Sequence, residues 1–179
     1  ENNSSVLKNF TITNGSGFVL PDGSTKGGGI YASGAGPILE NLIITGNTAT
    51  RGGGVLSQGN NSMILRNSRL HANNSIDGGG GLWLDGNFDS ETFQTIDNVT
   101  IHNNSSSSMG GGIKFYNNHS KITNCSVNNN SGSSGGGVYL WRSQSTINNT
   151  FIENNIANNG QGGGLSATQS QTQVMNSSI

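Results

Sequence analysis

The sequence predicts an all-β chain, a right-handed single-stranded parallel β-helix (a solenoid) of about seven coils of roughly 25 residues each. Three observations predict it. A Gly-Gly-Gly-aliphatic motif returns six times along the chain. An aliphatic-x-Asn-x-x-aliphatic motif returns between its copies. Apolar residues in both motifs alternate with the period of a strand, and no segment shows the 3.6-residue period of a helix.

The glycine motif reads GGGIYAS from Gly27, GGGVLSQ from Gly52, GGGLWLD from Gly79, GGGIKFY from Gly110, GGGVYLW from Gly135 and GGGLSAT from Gly162. Strand side chains point alternately to opposite faces. The expected inward pairs are therefore Ile30/Ala32, Val55/Ser57, Leu82/Leu84, Ile113/Phe115, Val138/Leu140 and Leu165/Ala167. The asparagine motif places aliphatics at −2, +1 and +3, as in Leu39, Leu42 and Ile44 around Asn41. The step from −2 to +1 breaks the period of two. A bend at the Asn repairs it, because Asn tolerates the left-handed conformation.

The motif Asn falls at Asn9, Asn41, Asn67, Asn98, Asn124, Asn149 and Asn176. Two of the steps are long and mark insertions at 17–26 and 86–95 in a single domain spanning 1–179. One coil cannot bury its own apolar side, and stacked coils bury a continuous aliphatic column. Stacking also sets like on like. Asn41, Asn67, Asn98, Asn124 and Asn149 are expected to form a structural ladder of amide hydrogen bonds, with Asn98 and Asn124 buried in it. A second Asn column comprises Asn47, Asn73, Asn104, Asn130 and Asn155. Sequons such as Asn98-Val99-Thr100 and Asn124-Cys125-Ser126 are then chance products of composition, on residues a glycosyltransferase cannot reach.

These motifs resemble the repeats of polymorphic outer-membrane proteins, autotransporter passenger domains with GGA(I/L/V) and FxxN motifs. More broadly they are similar to the pectin-lyase-like β-helix superfamily. The chain departs from the first pattern in having GGG for GGA and Leu, Ile or Val where Phe is usual. The resemblance covers nearly the whole chain and implies a secreted or cell-surface β-helix. Fold alone does not assign function.

Composition narrows the classes. Charged residues are 9% and the net charge is −1, so no field exists to gather nucleic acid. No apolar run is long enough for membrane insertion by this segment. Cys125 is the single cysteine, which excludes an internal disulfide. It occupies an inward slot held elsewhere by Leu42 and Val99, as a buried, inert thiol would. The opening ENNSSVLKNF has no basic stretch before an apolar core, and neither end carries a cap. Further β-helix coils or other domains of the same chain are expected on both sides.

Sugar-cleaving sites need paired carboxylates, or carboxylates holding a cation beside a base. Five of the nine acidic residues fall at Asp77, Asp85, Asp89, Glu91 and Asp97, around the second insertion. No Lys or Arg accompanies them, so no catalytic residue is assigned. Asp85, Asp89 and Glu91 are a weak calcium candidate; otherwise no cofactor or metal is expected. His71 and His102 are expected to stack facing outward on adjacent coils, with Asn128 and Glu153 further along that column.

The outward positions after the glycine motif carry the strongest signal. One column reads Tyr31, Leu56, Trp83, Lys114, Tyr139, Ser166 and the next Ser33, Gln58, Asp85, Tyr116, Trp141, Thr168. All three Tyr and both Trp lie in these slots. Tyr31, Trp83, Asp85, Lys114, Tyr116, Tyr139 and Trp141 thus form an expected exposed ligand-binding face for a glycan or a surface protein. The expected function is a non-enzymatic adhesin or stalk-like passenger domain. A fragment of a polysaccharide lyase or glycoside hydrolase, or a purely structural spacer, are the alternatives.

Overall fold

The computed structural model describes residues 5–59, 62–86 and 93–179. Three parallel sheets form the walls of a solenoid. The first sheet stacks rungs Val6–Lys8, Ile38–Glu40, Ile64–His71, Gln94–His102, His119–Thr123, Gln144–Asn148 and Gln171–Met175. The second includes Thr48–Arg51, Asn74–Gly78, Ser105–Ser106, Ser131–Gly132 and Ile156–Ala157. The third stacks Ile30–Ser33, Val55–Gln58, Leu82–Asp85, Ile113–Tyr116, Val138–Trp141 and Leu165–Thr168. The chain visits the sheets in that order once per coil, and no helix occurs among the described residues. Seven rungs in the first sheet bound fewer complete turns than the seven coils expected.

The first insertion folds on itself. Phe18–Val19 and Thr25–Lys26 form an antiparallel hairpin at the N-terminal end of the second sheet. Most of the second insertion lies outside the described residues.

Stacking is in register, so each inward position becomes a column. Leu65 pairs with Ile96, Leu70 with Ile101, Leu82 with Ile113 and Phe115 with Leu140. These side chains are buried in one continuous core. Full burial of each contributes about 1.5–3 kcal/mol. The inward alternation read from the sequence holds through the middle coils.

The motif asparagines do make the bend. Asn41, Asn67, Asn98, Asn124 and Asn149 all have φ between 47° and 55°. Their burial, however, is the reverse of the expectation: all five are exposed. The left-handed turn throws the side chain outward, so the amides pair along the outside of the rod. Asn98 Nδ2 donates to Asn67 Oδ1 at 2.8 Å, and Asn149 Nδ2 to Asn124 Oδ1 at 2.7 Å. Between them the column breaks, because Asn124 Nδ2 donates instead to Asp97 Oδ1 at 2.9 Å. The sequon residues Asn98 and Asn124 are therefore accessible, contrary to the sequence argument.

The buried ladder is the second column, at the corner between the first and second sheets. Asn47, Asn73, Asn104 and Asn130 are buried. Asn73, Asn104 and Asn130 make the same set of bonds. Asn104 Nδ2 donates to Leu70 O and to Asn130 Oδ1, both at 3.0 Å. Its Oδ1 accepts from the backbone N and from Nδ2 of Asn73, both at 3.0 Å. Its own backbone N donates to Asn130 Oδ1 at 2.9 Å. Every polar group of a tight, buried corner is satisfied by the coil above or below.

The glycine triplet is required by this packing. Gly79 sits at φ 60°, which L side chains rarely adopt. A Cβ on Gly80 would strike the carbonyl oxygens of Ser105 and Gly111, and one on Gly81 would lie 3.0 Å from Asn104 Nδ2. The third glycine makes room for the ladder.

Two stability outcomes follow. Asn104→Ala removes four ladder bonds and leaves buried partners unpaired, at about 3–5 kcal/mol. Asn98→Ala only places Ala in a left-handed bend, at about 1–2 kcal/mol. Urea unfolding should rank them in that order, and equal losses would contradict the ladder. The residue before each ladder Asn is also left-handed, being Gly46, Asn103, Asn129 and Asn154, but Ala72 on one coil. Ala72→Gly should raise stability by about 1 kcal/mol in the same assay.

Candidate functional site

The third sheet lines up its outward residues as the sequence places them. Trp83 pairs with Leu56 on one side and Lys114 on the other; Tyr116 pairs with Asp85 and Trp141. Their exposure is not what the sequence suggests. Leu56, Trp83, Lys114 and Tyr139 are buried, whereas Tyr116 is exposed and Tyr31, Asp85 and Trp141 are half-buried. The reason is tertiary. The chain turns at the glycine triplet so that the outer faces of the second and third sheets meet in a concave corner. Residues of the first outward column fill that corner; those of the second form its open lip.

Contacts across the corner define it. Lys114 Nζ donates to Asp77 O of the second sheet at 2.9 Å and stands 4.0 Å from the centre of the Trp83 ring. Arg51 Cζ lies 5.8 Å from the same ring, and Arg51 Nε pairs with Asp77 Oδ2 at 3.1 Å. One indole thus carries two cations, each such contact stabilising by roughly 0.5–2 kcal/mol. The Trp83 indole N–H is buried without an acceptor among the described residues. Towards the N-terminus the corner continues through the hairpin: Lys26 Nζ and Tyr31 OH both donate to Gln58 Oε1, at 2.8 and 3.2 Å. Phe18 stacks on Tyr31 with ring centres 5.9 Å apart. Towards the C-terminus it opens into a recess of about 230 Å³ lined by Met109, Lys114, Tyr116, Tyr139 and Trp141.

Burial tunes the two ionisable groups that were singled out. It pulls the Lys114 ammonium down to about 8; the negative charge of Asp77 opposes this, Arg51 adds to it, and Asp85 opposes it. Burial likewise pushes the Asp85 carboxyl above the usual range, against the pull of Lys26, Arg51 and Lys114. The corner therefore brings together Trp83, Asp85, Lys114, Tyr116, Tyr139 and Trp141, with Tyr31 further along. It adds Arg51, Asp77 and Lys26, whose place the periodicity of the third sheet alone could not show, and joins Gln58 of the second column to Lys26.

The other candidates are resolved separately. Asp89 and Glu91 of the calcium candidate lie outside the described residues. Among the described residues no three His, Cys, Asp or Glu side chains group in a way that could hold a metal ion. His71 and His102 stack as expected, ring centres 5.0 Å apart and planes within 8°, on a column continuing to Asn128 and Glu153. Partial burial lowers both imidazoles, with the charge of Arg69 adding to it. Cys125 is buried and its thiol is pushed up to about 12 by desolvation, as an inert residue requires. Its Sγ sits 2.9 Å from Thr123 O, the same backward contact that Ser68 Oγ makes to Arg66 O and Thr150 Oγ1 to Asn148 O.

One buried feature escaped the sequence. At the corner between the third and first sheets Asn118 Nδ2 donates to Gln94 Oε1 at 3.0 Å, and Gln94 Nε2 to Ser57 Oγ at 3.3 Å. Ser143 Oγ accepts from the Asn118 backbone N at 3.3 Å. The only trace in the sequence is the recurrence of small polar residues at Asn118, Ser143 and Ser170.

A parallel solenoid with three walls, a buried Asn ladder and a side groove defines the class. Within that class the chain belongs to the family described as the right handed beta helix region, which it matches over residues 1–179. No curated protein and no solved structure matches it.

The depressed Lys114 gives a signed expectation. Between about 8 and the ordinary 10.5 the unfolded chain holds a proton on Lys114 that the folded chain has lost. Stability attributable to this residue therefore rises with pH across that window. Lys114→Met should abolish this rise. A wild type and variant with parallel stability–pH curves from pH 7 to 10.5 would show that Lys114 is not desolvated.

Proposed function

We propose that this β-helix is a non-enzymatic, secreted or cell-surface domain, an adhesin or stalk-like passenger, whose groove along the third sheet receives a glycan chain. The observation that carries the reading is the lip of the concave corner. Tyr116 and Trp141 stand on adjacent rungs at its open edge, over a recess that also holds Lys114 and Tyr139. Rungs repeat at about 4.8 Å, so the ring faces form a regular track. Apolar faces of sugar rings stack on such tracks, and the hydroxyl of the exposed Tyr116 beside them can donate to or accept from sugar hydroxyls. The motif resemblance to autotransporter passenger repeats supports a place outside the cytoplasm.

One observation favours a second reading, a fragment of a polysaccharide-degrading enzyme. An amine brought down to about 8 beside a carboxyl pushed upward is the kind of pair that acid–base chemistry uses. Against it stands the Lys114 ammonium, already committed to Asp77 O and the Trp83 ring.

A glycan array on wild type and a Tyr116→Ala/Trp141→Ala double variant tests the first reading. Both residues are partly exposed, so the fold should survive; Trp83, being buried, is unsuitable for this purpose. Loss of two stacking platforms should weaken binding about tenfold or more. Undiminished binding by the variant, or no glycan bound by the wild type, would count against it. New reducing ends or unsaturated products after incubation with pectin or alginate would establish the second reading instead.

A further inference from the structure

A second recess lies on a different wall, on the outer face of the first sheet near where the chain enters it from the third. It encloses about 460 Å³ and is lined by Phe93, Gln144, Thr146, Gln171, Thr172 and Gln173. Register builds it. Gln144 pairs with Gln171, and Thr146 with Gln173, on adjacent rungs. Phe93 is largely exposed and meets His119, one rung before Gln144, edge to face with ring centres 5.7 Å apart. The aromatic ring is a wall; the amide and hydroxyl side chains are the floor.

The chemistry of this lining is uniform: among the described residues none in it is charged. The same face is ionic nearer the N-terminus, where Lys8, Glu40, Arg66 and Asp97 follow one another in register and Arg66 Nη2 pairs with Glu40 Oε2 at 3.1 Å. That column runs on through Thr123, Asn148 and Met175, and the glutamines of the recess lie in two neighbouring columns, His119–Gln144–Gln171 and Lys121–Thr146–Gln173. None of the three glutamine side chains makes a hydrogen bond to another described residue; the Thr172 hydroxyl between Gln171 and Gln173 is in register with the buried Ser145 and faces the interior. Each glutamine offers two donors and an acceptor, so three of them side by side hold six donors and three acceptors unused by other described residues.

We infer that this amide-lined recess is a binding site for a neutral oligosaccharide, distinct from the aromatic groove of the third sheet. Sugar hydroxyls both donate and accept, as the amides do, while Phe93 takes the apolar face of a pyranose ring. Among the described lining residues an ionic ligand finds no countercharge; the nearest charge in register is Lys121, one rung before Thr146. An extended peptide gains most by adding to a free strand edge, which here is the outer edge of the last rung, Gln171–Met175, whereas the recess lies on the face of the sheet.

The test uses cellohexaose, xylohexaose and mannohexaose as probes, with side-chain amide NMR and titration calorimetry. Three proteins are compared: wild type, Gln171→Ala/Gln173→Ala, and the Tyr116→Ala/Trp141→Ala groove variant. Gln171 and Gln173 are exposed, so the first variant should unfold at the wild-type temperature. The inference expects at least one hexasaccharide to shift the amides of Gln144, Gln171 and Gln173. It also expects affinity to fall about tenfold in the glutamine variant and to persist in the groove variant. No binding by any of the three probes overturns it, as does binding that survives the glutamine substitutions or is lost only with the groove. The last result would still support the glycan reading of the groove, so the two proposals fail separately. A peptide library ligand that shifts these amides where no sugar does would overturn the saccharide assignment.

Discussion

The structure depends on one corner, where the first sheet turns into the second and a column of asparagines replaces water. Each coil turns there in two residues, a left-handed one and the ladder Asn, leaving backbone groups that face the interior. Asn47, Asn73, Asn104 and Asn130 return those bonds by reaching one coil along the rod. Because each amide uses its neighbour, the coils must stack in register. The aliphatic columns then fall into line beneath them. The same corner demands the glycine triplet across the interior, since any side chain at the third glycine would occupy the space of the amide.

The triplet in turn shapes the outside. A turn of three glycines brings the second and third sheets together with their outer faces at a concave angle. Residues that alternate outward on the third sheet are consequently not all solvent-facing. Trp83 and Tyr139 pack in the angle, Lys114 is held against Asp77, and Tyr116 and Trp141 remain at the rim. The desolvation that lowers Lys114 and raises Asp85 is thus a consequence of glycine placement two to six residues away in each coil. Ladder, triplet and groove are one constraint passed from the inside of the rod to its surface.

Much of this was legible in the residues. The repeat, the inward columns, the left-handed bends at Asn41 through Asn149 and the His71–His102 stack all follow from spacing, because in-register stacking turns sequence period directly into position. The candidate groove was legible as a set of columns, Tyr31 to Ser166 and Ser33 to Thr168, but not as a groove. Alternation tells which side of a strand a residue faces and nothing about what faces it in return. For the same reason Arg51, Asp77 and Lys26 were not associated with Trp83. They lie on another wall or another rung, and only the angle between the walls brings them near.

The two asparagine columns show the division most clearly. The sequence by itself determined that Asn recurs twice per coil and that the first of each pair sits at a break in the period of two. It could not determine which column is inside, because a left-handed bend is compatible with either orientation of the side chain. The tertiary structure decided it: the bend at Asn98 is a kink within one wall, so its side chain points out to solvent. The turn at Asn104 joins two walls, so its side chain points in, against Gly81. Local spacing determines a residue's place in the repeat; burial depends on how the walls close around it.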